Sequence, residues 1–525
     1  MSRPGGLQQV LDDSNGRYPG KAAIIYAGET YTYAQVEDAS QRLAGGLLGV
    51  GLRTQDRVLL CLGNRIETVC AFWGVLKAGG VVVNVEPQVS ATHLDYILRD
   101  CEATVLITTC ATLAGLPVSI AGLPHLRSIV LLDGEPDAKA TRTFESLLGQ
   151  EAWCASAMPP QEQDLATIFY PDDVPGPPRG IMVTHRNMLA ALGSLRRNLA
   201  YQVSDNVLCC LPLSSDYGLY QMLMALDAGA TLVLEKAFAW PIYLVESIER
   251  HEVSVVPFVA NTLMLLHEHA ARRGICFPAV RLVTNGGTGL RRRQVARIGT
   301  LFPTAQICTL YGLPECKCCA YLPAEDVHGK PGSLGIPVPD TEVWLIDEEG
   351  RDILQPDRMG QLVIRSPSMM PGYWRNPVVT AQRLKPGVEP GETVLHTGDL
   401  CSRDEDGYLY FHGAIQRLVT CDGVRVNPVE VESFLHALEG VQDAAVVGIA
   451  DPVAGERLWA FVVPDSNGPP SPGEVLERCR AGLTAWQVPQ GVTFRGVLPS
   501  TGSGRVDFTL LQQWARNEQM QGDGQ

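Results

Sequence analysis

The sequence predicts an α/β protein: a large N-terminal domain of two doubly wound sheets plus a barrel-like subdomain, then a small α+β domain. Three observations predict this. Up to residue 300, short apolar runs rich in β-branched residues alternate with helical patterns. From about residue 330 the pattern changes to short strands separated by Gly, Pro and Asp turns. Beyond residue 418 a fresh α+β pattern begins. Strands alternating with helices build parallel sheets covered on both faces.

The strands expected in the first part are Val81–Val85, Thr104–Thr108, Ile129–Leu132, Thr231–Leu234 and Val253–Val256. Between them, Glu67–Ala78 and Tyr243–Glu252 read as amphipathic helices. Glu342–Ile346 and Gln361–Ile364 read as short strands, with Asp347–Gly350 as a turn. Arg403–Phe411 gives a turn and a strand. The boundary falls at 413–418, leaving 1–412 as the large domain and 419–525 as the small one. Asn517–Gln525 is polar and is predicted to be disordered.

A chain of 525 residues is too long for one compact core. The net charge of −15 argues against nucleic acid or an anionic membrane as the main partner. The first residues lack the apolar core of a signal peptide, and no apolar run is long enough to span a bilayer, so the expected compartment is the cytoplasm. The fifteen cysteines are scattered, with one cluster at Cys316, Cys318 and Cys319. No histidine or second cysteine pair at ligand spacing joins that cluster, so free thiols are expected and no metal.

Several motifs occur in a telling order: Tyr31-Thr-Tyr, Leu76-Lys-Ala-Gly-Gly, Asn285-Gly-Gly-Thr-Gly-Leu, Tyr311-Gly-Leu-Pro-Glu, Lys330-Pro-Gly-Ser-Leu-Gly, Gly372-Tyr-Trp, His396-Thr-Gly-Asp-Leu, Gly423-Val-Arg-Val-Asn-Pro and Leu498-Pro-Ser-Thr-Gly-Ser-Gly-Arg. Each alone is weak. Their order over nearly the whole chain resembles the adenylate-forming superfamily, and acyl-CoA ligases within it. The resemblance implies a small domain that rotates about the 413–418 hinge between two poses. In the first, a carboxylate attacks ATP to give acyl-AMP and pyrophosphate. In the second, a thiol, usually that of coenzyme A, displaces AMP.

The sequence departs from this family where triphosphate is handled. Tyr170 and Pro178-Arg179-Gly180 match the flanks of the family's Ser/Thr/Gly-rich phosphate loop, whose backbone N–H groups and hydroxyls cradle phosphate. Between them stand Pro171, Asp172, Asp173, Val174, Pro175, Gly176 and Pro177. Proline has no N–H to donate. Two like charges about 4 Å apart repel by roughly 1 kcal/mol in water and about 4 kcal/mol at an intermediate dielectric, so Asp172 and Asp173 oppose a polyanion. Arg179 stands at the loop's lysine. Arg505 stands at the adenylation lysine, a swap that changes head-group shape. Pro314 replaces the threonine before Glu315. Ala414 and Gln416 replace the hinge arginine and acid, and Ser214-Ser215 replaces an aromatic-His gate.

The groups for AMP and thiol entry survive. By resemblance, Asp399 takes the ribose hydroxyls, Tyr311 stacks on adenine beside Gly312, and Asn285, Gly286 and Gly287 line the nucleotide and acyl pocket. Glu315 holds magnesium in the family; here it is read as structural, and magnesium is not expected without pyrophosphate chemistry. Gly423 is expected to leave room for pantetheine, and His185 to end the phosphate loop structurally. The acyl pocket is expected to draw on Ser214, Ser215, Asp216, Tyr217 and Val259. The pattern resembles the non-adenylating, thioester-forming half of the split ligase pair of platensimycin and platencin antibiotic biosynthesis. It implies transfer of an acyl group from preformed acyl-AMP, supplied by a separate adenylating ligase, to coenzyme A. A complete ATP-dependent ligase with an unusual loop is the alternative, and a silent adenylate-binding protein a second. A carrier-protein thiol stays open as acceptor, and a homodimer is a family-level expectation.

Overall fold

The computed structural model describes residues 5–116, 122–135, 142–149, 160–171, 178–236, 240–287, 289–451, 455–465, 470–501 and 506–522. The chain divides into two compact units, one formed by 1–343 with 364–395 and the other by 344–363 with 396–525.

The first unit is built on two sheets. One has seven strands; Arg57–Leu60 and Val81–Asn84 run parallel at its centre, and Val81–Asn84 is followed by Leu165–Phe169. Leu165–Phe169 turns back antiparallel into Ile181–Thr184, the pair that brackets the loop at 171–178. In the other sheet, Asn206–Cys209, Val255–Phe258, Leu282–Gly286 and Gln306–Leu313 are successive parallel neighbours. Of the strands expected from the sequence, Thr231–Leu234 is met residue for residue, while Val253–Val256 is shifted to Val255–Phe258 and Ile129–Leu132 to Ser128–Leu131. Near-continuous burial explains their unbroken apolar runs, since a parallel sheet covered on both faces has no polar face to alternate with.

The helix expected at Glu67–Ala78 runs Ile66–Lys77, but it is not amphipathic: every residue except Glu67 is buried. The buried Lys77 ammonium is paired with Asp12 and Glu37, so a charge survives in this interior only with two carboxylates beside it. Two helices are set by their caps. Thr184 forms a reciprocal capping box with Asn187 at the start of His185–Leu199. Ser215 accepts from the Gly218 N–H at the start of Asp216–Ala228.

In the second unit, Val424–Val426, Val419–Cys421, Gly455–Pro464 and Val441–Asp451 lie side by side, and Gly491–Phe494 pairs with Gly455–Pro464. Val431, Leu435, Val446 and Val475 pack on one face; Ile449, Phe461, Leu511 and Ala515 pack on the other. The tail differs from expectation. The helix Phe508–Gly522 runs through most of Asn517–Gln525. Its burial of Leu511 and Ala515 anchors a turn that the following helix-favouring polar residues continue. Among the described residues, no helix is long and apolar enough to cross a membrane.

Candidate active site

The site is built around the end of the strand Leu282–Gly286. Its register against Gln306–Leu313 sets Asn285 beside Thr309 and Gly286 beside Leu310. The Gly287 N–H continues this by donating to the Leu310 carbonyl at 3.0 Å. Asn285 and Tyr311 are buried, and Gly312 follows in the same strand, so this predicted set is brought together. Gly286 is glycine for a steric reason: a Cβ there would lie 2.6 Å from the Tyr217 ring. The Tyr217 hydroxyl is hydrogen-bonded to Thr284 Oγ1 at 2.8 Å, which locks the ring beneath the platform. Burial pushes the Tyr217 phenol well above its ordinary pKa, so it stays neutral.

The segment leading to Tyr217 is clamped from outside. Asn64 Nδ2 donates to the Leu211 and Glu235 carbonyls at 2.8 and 3.0 Å, and its Oδ1 accepts from the Leu213 N–H at 2.8 Å. Ser214 Oγ donates to Glu86 Oε1 at 2.7 Å, and Ser215 is engaged in its cap. Asp216 pairs with Lys317 at 3.0 Å. Val259 is buried at the start of the helix Ala260–Ala271. Neither Asn64, Glu86 nor Lys317 was anticipated from the sequence. Their partners lie at large sequence separation, and no local pattern marks them.

Glu315 is occupied. Tyr373 OH donates to its Oε1 at 2.7 Å, and Arg383 lies 3.8 Å from the same oxygen. The Glu315 carbonyl accepts from the Met370 N–H at 2.8 Å. The adjoining cysteines bond locally: Cys319 Sγ donates to the Cys316 carbonyl, and Cys316 Sγ lies 3.4 Å from Ser368 Oγ.

The flanks of the phosphate loop are held firmly. Tyr170 OH donates to Asp100 Oδ2 at 2.6 Å, and the Trp374 N–H donates to the Gly180 carbonyl at 2.7 Å. Pro171 and Arg179 are half-buried at the two ends. Asp172, Asp173, Val174, Pro175 and Gly176 lie outside the described residues, as does Arg505. His185 has a structural role. Its Nδ1 accepts from the Leu7 N–H at 2.9 Å, and burial lowers its pKa to about 4.

In the second unit, Asp399 is buried in the strand Thr393–Arg403, and its N–H donates to Thr397 Oγ1 at 3.0 Å. Gln416 is exposed on the short turn Ile415–Arg417. A Cβ on Gly423 would meet nothing within 4 Å, and its φ of +78° beside Asp422 at +50° is a further reason for glycine there. Two consecutive positive φ values make the tight hairpin turn for which Asp-Gly is favoured.

A family model described as AMP-binding enzyme matches residues 11–374, and one described as AMP-binding enzyme C-terminal domain matches 430–505. A long-chain-fatty-acid–CoA ligase of Bacillus subtilis is 28% identical over 529 residues, covering 95% of this chain and 93% of that protein. A linear gramicidin synthase protein of Brevibacillus parabrevis is 28% identical over 96% of this chain and 6% of its own length. Among solved structures, the anthranilate CoA ligase AuaEII in complex with anthranoyl-AMP superposes with a TM-score of 0.86 at 23% identity, covering 98% of each chain. ATP-bound MatB from Rhodopseudomonas palustris gives 0.85 at 24% identity, covering 97% of this chain and 99% of that one. With the first model spanning well over half of its length, the chain belongs to the AMP-binding enzyme family, the adenylate-forming superfamily that includes acyl-CoA ligases.

Proposed function

We propose that this protein is an acyl-CoA ligase that performs the thioester-forming half-reaction, taking a preformed acyl-adenylate and transferring its acyl group to coenzyme A. The observation that carries this reading is the Pro171–Pro177 sequence. A loop that should offer N–H groups and hydroxyls to a triphosphate offers prolines and two carboxylates instead. Its anchors at Tyr170 and Gly180 are intact, so the altered loop is not part of a general decay. The platform of Asn285, Gly286, Gly287 and Tyr311 is also kept.

Acyl-AMP is a mixed anhydride and is already activated. The coenzyme A sulfur attacks the acyl carbonyl carbon, a C–S bond forms, and the C–O bond to phosphate breaks. AMP leaves with the oxygen, and the thiol proton passes to solvent. No ATP is consumed. The protein's part is to orient thiol and carbonyl and to stabilise the developing oxyanion. Glu315, the family's metal-side carboxylate, already holds the Tyr373 hydroxyl beside Arg383. A magnesium ion there would compete with both, and this half-reaction does not need one. Rotation of 419–525 about 413–418 and supply of the adenylate by a separate ligase belong to the same proposal.

The second reading, a complete ligase, is favoured by Arg179 and Arg505, which keep a positive charge at both family lysine positions. Replacing 171–177 with a Ser/Thr/Gly loop together with Arg505→Lys separates the two. A large gain in carboxylate-dependent exchange of pyrophosphate into ATP supports the thioester-only reading. Robust exchange by the unaltered protein overturns it.

A further inference from the structure

Lys317 stands on the strand Cys316–Leu322 with its Nζ 3.0 Å from Asp216 Oδ2, and each of these side chains is only 14% exposed. The ammonium also lies 5.1 Å from the centroid of the Tyr217 ring and 5.4 Å from that of Tyr220. Tyr217 is the same ring that supports Gly286 and bonds Thr284. One aromatic plate thus has the nucleotide platform against it and a paired cation over it. Asp216 is itself constrained, since its Oδ1 accepts from the Tyr217 N–H at 2.7 Å.

An ammonium has three N–H donors. Asp216 takes one. The two rings attract the charge through their faces but offer no lone pair. The group therefore has donor capacity left in a largely desolvated place, on the wall that Ser214–Tyr217 gives to the acyl pocket. A plain alkyl chain laid there would bury unpaired donors, whereas an acyl group bearing an oxygen would satisfy them. Sites built to hydrogen-bond a substrate oxygen reject the analogue that lacks it far more strongly than apolar pockets reject a size change.

We propose that Lys317 is a specificity-determining residue and that the preferred acyl group carries a hydroxyl or ketone oxygen on its body, not an unsubstituted alkyl chain. The proposal rests on the reading of Ser214–Tyr217 as a wall of the acyl site in a thioester-forming enzyme. Lys317 acts in it as a donor to the substrate, with Asp216 holding it in place.

The test uses the full-length protein, coenzyme A without ATP, and synthetic adenylates of decanoic acid and of its hydroxy and keto derivatives. Two variants are compared with the parent: Lys317→Met, and the double Asp216→Asn/Lys317→Met, which leaves no buried carboxylate alone. The parent is expected to favour an oxygenated adenylate in kcat/KM by about tenfold or more, as a hydrogen bond to a charged group typically contributes. The double variant is expected to lose that preference, the ratio of its kcat/KM values for the oxygenated and plain adenylates falling to about one. Equal rates for all adenylates with the parent overturn the proposal. So does an equal loss on every substrate in the double variant, which would make the pair a structural clamp. If the parent forms no thioester from any adenylate, thioester transfer itself fails. The Lys317 proposal is then decided by Kd ratios for the matching acyl-sulfamoyl adenosines, where the same tenfold preference supports it and its absence overturns it.

Discussion

The segment from Tyr170 to Gly180 and the platform from Leu282 to Glu315 belong to the same unit, yet they stand differently to the family pattern. The segment matches that pattern at its two anchored ends and departs from it between them. The platform matches it at Asn285, Gly286, Gly287 and Tyr311 and is supported from elsewhere in the chain by Tyr217 beneath Gly286 and Tyr373 on Glu315. A phosphate loop works through N–H groups and hydroxyls that a few substitutions remove at little cost to packing. A platform works through close backbone approach, so its residues are also held by the core. On the proposed reading, one half of a two-step chemistry is altered without disturbing the fold that serves the other.

The contrast can be broken most sharply at Gly286. Gly286→Ala forces a Cβ against the Tyr217 ring, and overpacking of this kind costs about 1–3 kcal/mol. The melting temperature should drop accordingly, and with the same cost met in the bound transition state, thioester formation from an acyl-adenylate should fall by about 5- to 140-fold, at about 1.4 kcal/mol per factor of ten. An unaltered rate would detach Gly286 from the site.

His185, which follows the loop, gives a comparable effect through pH. Burial holds its folded pKa at about 4, below the ordinary 6.5. The unfolded chain therefore binds more protons between these values, and stability falls as pH drops through that window. The loss should reach about 3 kcal/mol between pH 7 and pH 4, at 1.36 kcal/mol per pKa unit. Melting curves of the protein and of His185→Gln across that range should differ in slope; parallel curves would refute the assignment.

Smaller effects sharpen the comparison further. Tyr217→Phe removes one hydrogen bond to Thr284 and should cost about 0.5–1.5 kcal/mol of stability. Asp172→Ser with Asp173→Ser should strengthen ATP binding, measured by calorimetry, since two like charges facing the polyanion are removed. Unchanged ATP affinity would mean that these carboxylates do not set the loop's behaviour.

Much of this was legible in the sequence. The parallel strands were readable because their burial on both faces writes continuous apolar runs, whereas the platform residues were named from the family resemblance alone. The helix Ile66–Lys77, buried everywhere but at Glu67, misled, since its few polar residues suggested a wet face while Lys77 is paired with Asp12 and Glu37 from elsewhere in the chain. Asn64, Glu86 and Lys317 were invisible for a related reason. Each matters through partners brought near only by folding, as with Leu211, 147 residues from Asn64, and Asp216, 101 from Lys317. Gly423 carries a backbone reason that the sequence reading did not give, the positive φ of its hairpin.

The central claim is tested most directly by measuring acyl-CoA by mass spectrometry under two conditions. One supplies a panel of carboxylic acids with ATP, magnesium and coenzyme A; the other supplies the corresponding acyl-adenylates with coenzyme A and no ATP. The account predicts thioester from the adenylates alone. Thioester from acid and ATP at a comparable rate would contradict it and make this a complete ligase.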